Sequence, residues 1–322
     1  MKRISEYALL AEEELRKIDY KGGDVAGLYE PISYAMSAGG KRLRPVLTLM
    51  SAEAFCGDPM VALKAASGIE MFHNFTLLHD DVMDKSEVRR GRPTVHVKWD
   101  ENTAILSGDT MLTLATQLIS EVPDAVLRPV LDVFNRMAID VYEGQQLDMS
   151  FEREENIEMS AYLKMIGLKT GALLGAASQI GALIGGATKE QSEEMYRFGM
   201  MLGLAFQIED DYLDTFGDAT TFGKPIGGDI KNGKKTFLVV SAMNRSDKDA
   251  EAYKIASKLP SGDTKVKTIT AIFEKMSMRA ECRKAVSHYS ASALDALKKA
   301  GLDEGKREAF RSVVEKLTGR KK

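Results

Sequence analysis

The chain has 322 residues, of which 44% are hydrophobic and 28% charged, so it is long enough for one large domain or two ordinary ones. Its formal net charge of -3 gives no electrostatic basis for binding nucleic acid. Two cysteines exclude a disulfide scaffold, and the first residues, Met1 to Glu6, lack the apolar core of a signal peptide. We therefore expect a cytoplasmic protein.

Apolar residues recur at intervals of three and four along most of the chain, which predicts long α-helices. The predicted helices cover residues 5–18, 46–56, 61–84, 101–121, 125–149, 160–187 and 190–216. The predicted breaks cover 21–26, 37–45, 57–60, 85–96, 217–234 and 244–264, and none resembles an interdomain linker. No alternating pattern predicts a sheet. We predict an all-α fold, a single-domain helical bundle spanning 1–322 around a central cavity.

Cationic segments lie in the predicted loops. The segment GGKRLRP at 39–45 combines a glycine turn, three cations and a proline suited to the start of a helix. The segment RRGRPT at 89–94 adds three arginines, whose guanidinium groups bind phosphate oxygens in pairs. Further cations follow at Lys224 and in the turn 233–236. Each segment alone is most simply a solvated turn, but together they indicate an anionic substrate.

One acidic pattern occurs twice, far apart in the chain. Its copies are Asp80, Asp81 and Asp84, and Asp210, Asp211 and Asp214. Residues three and four apart share a helix face, and the flanking residues are largely apolar, which predicts buried helices. Carboxylates crowded on such a face require cations to neutralise them. A single copy would most simply be a solvated helix face, whereas two copies facing each other would hold several hard cations and a diphosphate.

The segment 171–187 imitates a membrane span because it contains no charged residue. It falls short of the roughly 20 residues that cross a bilayer. Its glycine and alanine content more simply permits close contact between helices, so we predict no membrane span.

With these motifs in view, the sequence resembles the trans-isoprenyl diphosphate synthases (polyprenyl synthetases), most closely their archaeal short-chain geranylgeranyl and farnesyl members. The resemblance runs from about residue 30 to about residue 240. It rests on GGKRLRP at 39–45, HDDVMD at 79–84, RRGRPT at 89–94, GQQLD at 144–148, LKTGAL at 168–173 and FQIEDDYLD at 206–214. It implies a Mg²⁺-dependent prenyltransferase that condenses isopentenyl diphosphate head to tail with an allylic diphosphate.

The resemblance also implies a role for each matched residue. The ligands of Mg²⁺, three ions per site with substrate bound, would be Asp80, Asp84, Asp210 and Asp214. The diphosphate of isopentenyl diphosphate would be bound by Lys41, Arg44, His73 and Arg90. The allylic diphosphate would be bound by Arg89, Lys169, Lys224 and Lys234. The catalytic residues would be Lys169, Thr170 and Gln207, the last two steadying the allylic cation.

Product length would be set by a bulky side chain at the floor of the substrate pocket. The resemblance nominates Phe75, five residues before Asp80, although an ideal helix places Thr76 nearer the Asp80 stripe. Phe72 is a further candidate. We expect a C20 product, alone or mixed with C15. The resemblance also implies a homodimer, with the apolar helices near 101–149 as candidates for its interface.

Three other readings are open. A class I terpene cyclase shares the first aspartate-rich helix, but its second metal motif normally mixes asparagine or aspartate with serine, threonine and glutamate. A non-catalytic subunit of a heteromeric synthase would be expected to lose one motif, and both are intact here. A calcium-binding structural protein would need ligands at alternating positions, which residues 80–91 lack.

Overall fold

The computed structural model describes residues 1–20, 22–218 and 226–319, and these residues are mostly helical. The helices are α1 Ile4–Leu15, α2 Ala26–Met36, α3 Leu43–Cys56, α4 Leu63–Met83, α5 Val95–Lys98, α6 Glu101–Ser120, α7 Asp124–Phe151, α8 Met159–Ile166, α9 Ala172–Ile184, α10 Lys189–Phe216, α11 Gly228–Asn232, α12 Phe237–Met243, α13 Lys248–Ala256, α14 Asp263–Lys275, α15 Met278–Lys299 and α16 Glu304–Thr318. Short 3₁₀ turns cover Gly23–Val25 and Pro59–Ala62, and a π-helical turn covers Gly167–Gly171. The all-α prediction is confirmed.

The predicted helix 160–187 is divided in the structure into α8, the π-helical turn and α9. Helices α2, α5 and α11 to α16 were not predicted. Helix α11 lies inside the predicted break 217–234, and α13 lies inside the predicted break 244–264. Helix α13 begins where the side chain of Asp247 accepts a hydrogen bond from the backbone N–H of Ala250, a polar cap that apolar periodicity does not reveal. A small sheet was also missed: β1 Val88–Arg89 pairs antiparallel with β2 Arg92–Pro93. Its turn residues, Arg90 and Gly91, both have positive φ, as a two-residue hairpin of this hand requires.

Contacts divide the chain into two compact units. Unit 1 comprises Met1–Asn135 and Ala176–Met195, and unit 2 comprises Arg136–Gly175 and Tyr196–Lys322. The prediction of a single domain over 1–322 stays a prediction.

Unit 1 is organised around α4, which packs against α3 and α6. Glycines allow the helices to approach closely. A Cβ at Gly68 of α4 would lie 2.9 Å from the carbonyl oxygen of Ala115 in α6. A Cβ at Gly181 of α9 would lie 2.1 Å from the carbonyl oxygen of Thr48 in α3. The predicted close contact of the glycine-rich segment 171–187 is therefore present. Within the described ranges, no helix has the length and apolarity needed to cross a membrane.

Unit 2 has its own hydrophobic core. It is formed by α8, the second half of α10 and helices α11 to α15, with Tyr162, Phe237 and Phe273 among its buried aromatic side chains. Tyr253 and Phe273 stack with their ring centroids 5.6 Å apart. This core fixes the segment of α10 that carries the second acidic motif.

Candidate active site

The first acidic motif lies at the end of α4 in unit 1, and its three carboxylates have different surroundings. Asp81 is 5% exposed, and Arg89 of the hairpin donates from Nε to both of its carboxylate oxygens at 2.8 and 2.9 Å. Burial raises the pKa of Asp81, while Arg89 acts in the opposite direction. Asp80 is half-buried and Asp84, at the end of the helix, is exposed. Asp81 is thus neutralised within the protein, and Asp80 and Asp84 are the members that the resemblance assigns to the metal.

The predicted isopentenyl diphosphate residues Arg44 and His73 are neighbours. Arg44 Nη1 lies 3.0 Å from His73 Nε2, and because arginine only donates, Nε2 accepts and the imidazole is neutral. Burial lowers the pKa of Arg44 to about 10, and the charge of Arg90 acts in the same direction. Among the described residues, the buried Nε of Arg44 has no hydrogen-bond partner. A buried unpaired donor beside a second cation suits an anionic ligand.

The two cationic loops of unit 1 meet at a pair of glycines. Arg90 Nη1 donates to the carbonyl oxygen of Gly39. A Cβ at Gly40 would lie 3.0 Å from Arg90 Nη2, and the φ of Gly40 is 141°, a backbone conformation that favours glycine. The loop 39–45 and the hairpin are thereby held together, and Lys41 is exposed on the same loop.

Arg42, which the sequence did not separate from its cationic neighbours, is a structural residue. It is 4% exposed and bonds with Glu12 of α1 at 2.5 Å and with Glu70 of α4 at 2.7 Å. A third bond, to the carbonyl oxygen of Met36, ties it to α2. Its side chain therefore joins the loop 39–45 to α1, α2 and α4, and its backbone leads directly into α3.

We expect His73 to make stability depend on pH. Burial, followed by the nearby positive charge of Arg44, lowers its pKa well below the ordinary value of 6.5. Below pH 6.5, His73 is protonated in the unfolded chain but still neutral in the folded protein. The free energy of unfolding therefore decreases as the pH falls, by at most about 1.4 kcal/mol per pH unit, until the pH reaches the folded-state pKa. Above pH 6.5 this contribution is fully present.

The measurement is the free energy of unfolding in urea between pH 5 and 8. His73→Gln, which keeps a neutral acceptor for Arg44, should lose stability less steeply than the parent below pH 6.5. His288→Gln, at an exposed histidine of α15, is the matched control. Parallel curves for the parent and His73→Gln would contradict the prediction.

The predicted product-length residues lie on one face of α4. Phe72 and Phe75 are buried, with their ring centroids 5.4 Å apart at 63°. Phe72 also meets Phe134 of α7 at 5.4 Å. Thr76 is half-buried and its hydroxyl donates to the carbonyl oxygen of His73 at 2.8 Å, back within its own helix. The two phenylalanines therefore form one aromatic group, while Thr76 is turned onto the backbone.

The second acidic motif lies on α10 in unit 2, and its central member is again held by the protein. Asp211 is 3% exposed and accepts from Tyr162 Oη at 2.5 Å and from the backbone N–H of Phe237 at 2.8 Å. Burial raises its pKa to about 7. Asp210 is half-buried, and Asp214 is buried with Oδ2 accepting from the backbone N–H of Asp229 at 3.0 Å. One oxygen of Asp214 thus fixes the start of α11.

The predicted catalytic residues are connected in unit 2. Lys169 and Thr170 lie in the π-helical turn, an irregularity frequently found at functional sites. The Thr170 hydroxyl donates to Gln207 Oε1 at 3.1 Å, and Gln207 Nε2 donates to Asp211 Oδ1 at 3.1 Å. Lys169 Nζ bonds with Asp148 Oδ2 at 2.6 Å. The sequence predicted that Gln207 shares a helix face with the second acidic motif, and the structure joins Gln207 to Asp211 of that motif by a hydrogen bond.

Of the remaining predicted cations, Lys234 is half-buried and its backbone N–H donates to the carbonyl oxygen of Asp229 at 2.9 Å. Lys224 lies outside the described residues.

A family model described as polyprenyl synthetase matches residues 25–276. The chain belongs to the polyprenyl synthetase family. The family resemblance drawn from the motifs is confirmed.

Several relatives in the family are similar over most of their length. The chain is 40% identical over 277 residues, 84% of each protein, to the short chain isoprenyl diphosphate synthase of Methanothermobacter thermautotrophicus. It is 44% identical over 234 residues, 71% of each protein, to the geranylgeranyl diphosphate synthase of Sulfolobus acidocaldarius. A crystal structure of geranylgeranyl pyrophosphate synthase matches it with a TM-score of 0.94 at 40% identity and covers 100% of both chains.

Within this family member, several residues of the site escaped prediction. Asp148 lies in GQQLD, which carried the resemblance but was given no role, and its contact with Lys169 was not foreseen. Tyr162 was not singled out either, because a tyrosine near the start of a short helix has no distinctive sequence context. Gln145 is 7% exposed, and neither polar atom of its amide has a partner in the described part of the chain. Only the tertiary fold distinguishes it from Gln146.

The carboxylates present fit Mg²⁺ on chemical grounds. Asp80 and Asp84 carry hard oxygen donors one helical turn apart, and so do Asp210 and Asp214. Among the described residues, no three His, Cys, Asp or Glu side chains converge as a metal site. Mg²⁺ does not require such a cage, because it usually takes one or two carboxylates and completes its shell with phosphate and water. The magnesium site stays a prediction.

Proposed function

We propose that the protein is a Mg²⁺-dependent prenyltransferase that condenses isopentenyl diphosphate head to tail with allylic diphosphates, giving a short-chain all-trans product. The observation that carries this proposal is the Arg44–His73 pair, with its unpartnered arginine Nε, in the unit that contains the first acidic motif. Family membership supports the reaction type. The names of the relatives support a short chain.

In unit 1, the diphosphate of isopentenyl diphosphate binds to Lys41, Arg44, His73 and Arg90. The bound anion relieves the repulsion between neighbouring guanidinium groups and supplies an acceptor for Arg44 Nε. Arg42 keeps the loop in place through its contacts with Glu12 and Glu70.

The allylic diphosphate is bound by Arg89, Lys169, Lys224 and Lys234, and the Mg²⁺ ions by Asp80, Asp84, Asp210 and Asp214. When bound, Mg²⁺ supplies positive charge that favours departure of the diphosphate. Lys169 must share its ammonium between Asp148 and the substrate, as its three donors permit. Arg89 must likewise share its guanidinium with Asp81.

The carbon–oxygen bond at C1 of the allylic substrate breaks, and its electron pair leaves with the diphosphate. Gln207 and Thr170 then face the positive charge with oxygen lone pairs, because the hydrogen bonds to Asp211 and between the two residues fix their orientation. The π electrons of isopentenyl diphosphate form the new bond from C4 to C1. A proton finally leaves C2 to the released diphosphate, so no side-chain nucleophile is needed.

The proposed product is C20, alone or mixed with C15. The relative named geranylgeranyl diphosphate synthase supports this length, and Phe75 is the proposed floor. We also propose a cytoplasmic homodimer. In unit 1, α6 exposes Ile105 and Leu106 at 44% and 59%, which suits a partner surface. Light scattering of the purified protein tests the dimer.

Replacing Phe75 with alanine is expected to make the main product at least one isoprene unit longer. The reason is that a helical turn rises about 5.4 Å, so removal of a ring at this level opens space for roughly one further unit. The measurement is chromatography of the dephosphorylated products. Phe273→Ala, at an equally buried phenylalanine in unit 2, should lower stability without lengthening the product. An unchanged product from Phe75→Ala would remove Phe75 as the floor.

The deciding experiment incubates the protein and Mg²⁺ with isopentenyl diphosphate and, separately, dimethylallyl, geranyl or farnesyl diphosphate. A C20 end product from all three primers is the expected result. Cyclised hydrocarbon without condensation would favour a class I terpene cyclase. No reaction by the protein alone would favour a non-catalytic subunit of a heteromeric synthase.

A further inference from the structure

His79 links Phe75 to a neighbouring helix. It follows Phe75 by four residues on α4, and the two ring centroids are 4.8 Å apart at 67°, an edge-to-face contact. Its Nε2 lies 3.0 Å from the carbonyl oxygen of Ile105 in α6. Since a carbonyl only accepts, Nε2 carries the proton and donates it. The imidazole therefore has one ring contact toward Phe75 and one hydrogen bond toward α6.

Gly108 of α6 fixes the imidazole from a second direction. A Cβ at this position would lie 2.1 Å from His79 Nε2 and 2.4 Å from Cδ2, closer than real contacts allow. The ring of His79 thus lies against bare backbone, one helical turn from the carbonyl that it bonds. A side chain held by a fixed acceptor and a close backbone contact has little freedom to change rotamer.

Phe75 is also supported from its other side. Phe72 meets it edge to face at 5.4 Å and is itself 0% exposed and in contact with Phe134 of α7. The ring of Phe75 therefore lies between two neighbours on its own helix. One neighbour is braced by α7, and the other is braced by α6.

We propose that His79 is a positioning residue for product length, because it holds the Phe75 ring in the orientation that stops chain growth. This inference rests on the proposed function and on Phe75 as the floor. Phe72 and His79 occupy two of the directions into which a growing prenyl chain could push the Phe75 ring. Without the imidazole, the ring can turn into the vacated volume.

A purely structural role for His79 has different consequences. If it only joined α4 to α6, its loss would lower the melting temperature and the total turnover but leave the ratio of products unchanged. Product length at equal isoprene incorporation therefore separates the two roles. His79→Gln separates them further, because an amide can still donate to the Ile105 carbonyl while offering no ring to Phe75.

The experiment compares the parent with His79→Ala, His79→Gln, Gly108→Ala and Phe75→Ala. The matched control is Ile119→Val, which alters the contact between α6 and Gly68 of α4, away from Phe75. Each enzyme receives farnesyl diphosphate, excess isopentenyl diphosphate and Mg²⁺ until incorporation is equal. The products are dephosphorylated and sized, and the melting temperature of each variant is recorded.

Both His79 variants are expected to raise the ratio of C25 to C20 product about fivefold, the scale set by loss of one edge-to-face contact. Gly108→Ala should also change the ratio, because it displaces the imidazole. Ile119→Val should keep the parent ratio. If His79→Ala does not fold, His79→Gln decides.

A parent ratio in both His79 variants, with longer products from Phe75→Ala, would overturn the inference and leave the proposed function intact. A parent that condenses no isopentenyl diphosphate would instead remove the proposed function, and the inference with it. If the parent condenses but Phe75→Ala makes no longer product, Phe75 is not the floor and the role of His79 falls.

Discussion

Asp80→Asn is expected to lower kcat by about 10³-fold or more, the largest effect on activity that the structure predicts. A carboxylate assigned to Mg²⁺ supports charge stabilisation worth several kcal/mol in the transition state, and the isosteric amide retains no charge. The measurement is the rate of isopentenyl diphosphate incorporation at saturating substrate. A titration with Mg²⁺ should also show a raised half-saturating concentration.

Two comparisons make this result specific. Asp81→Asn changes the adjacent carboxylate, which is bound by Arg89, and should affect stability more than the response to Mg²⁺. Asp132→Asn, at an exposed aspartate of α7 paired with Arg128, should leave both unchanged. A kcat for Asp80→Asn within about threefold of the parent, with an unaltered Mg²⁺ response, would refute its assignment as a ligand.

Arg42→Met is expected to lower the free energy of unfolding by about 3–5 kcal/mol. The methionine fills much of the same volume, but it leaves the carboxylate of Glu70, which is 2% exposed, buried without its cation. Glu12 of α1 and the carbonyl of Met36 also lose their donor. Urea denaturation with an unchanged m-value would report the loss directly.

Arg128→Met is the matched control for this substitution. Arg128 pairs with Asp132 across one turn of α7, and both side chains are largely exposed, so little change in stability is expected. A loss below about 1 kcal/mol in Arg42→Met would show that the buried carboxylate of Glu70 finds another partner.

The helices that carry the site were predictable because their periodicity is strong. Helix geometry alone predicted that Gln207 lies on the same helix face as the second acidic motif. The hydrogen bond between Gln207 and Asp211 agrees with this prediction. The long helices α4, α6, α7 and α10 agree with their predicted ranges to within two residues. Local spacing sufficed in these cases, since both partners lie on one element.

The partners of individual charged residues were not predictable in the same way. Lys41, Arg42 and Arg44 look alike in sequence, and nothing in the sequence shows that Arg42 pairs with Glu12 and Glu70, which are distant in the chain. Asp80 and Asp81 are likewise indistinguishable in sequence, but in the structure the hairpin places Arg89 against Asp81. That choice depends on a two-residue turn and on tertiary contacts, which no helical pattern encodes. Helix α13 was missed for a related reason, because its start depends on a polar cap.

Two glycines allow neighbouring backbone to approach the π-helical turn that carries Lys169 and Thr170. A Cβ at Gly144 would lie 2.4 Å from the backbone nitrogen of Lys169, and a Cβ at Gly203 would lie 2.5 Å from the Cα of Gly171. A side chain at either position would therefore require the backbone of the facing segment to move. Directed evolution of this enzyme should therefore accept almost nothing at Gly144 and Gly203, while substitutions elsewhere in unit 2 accumulate.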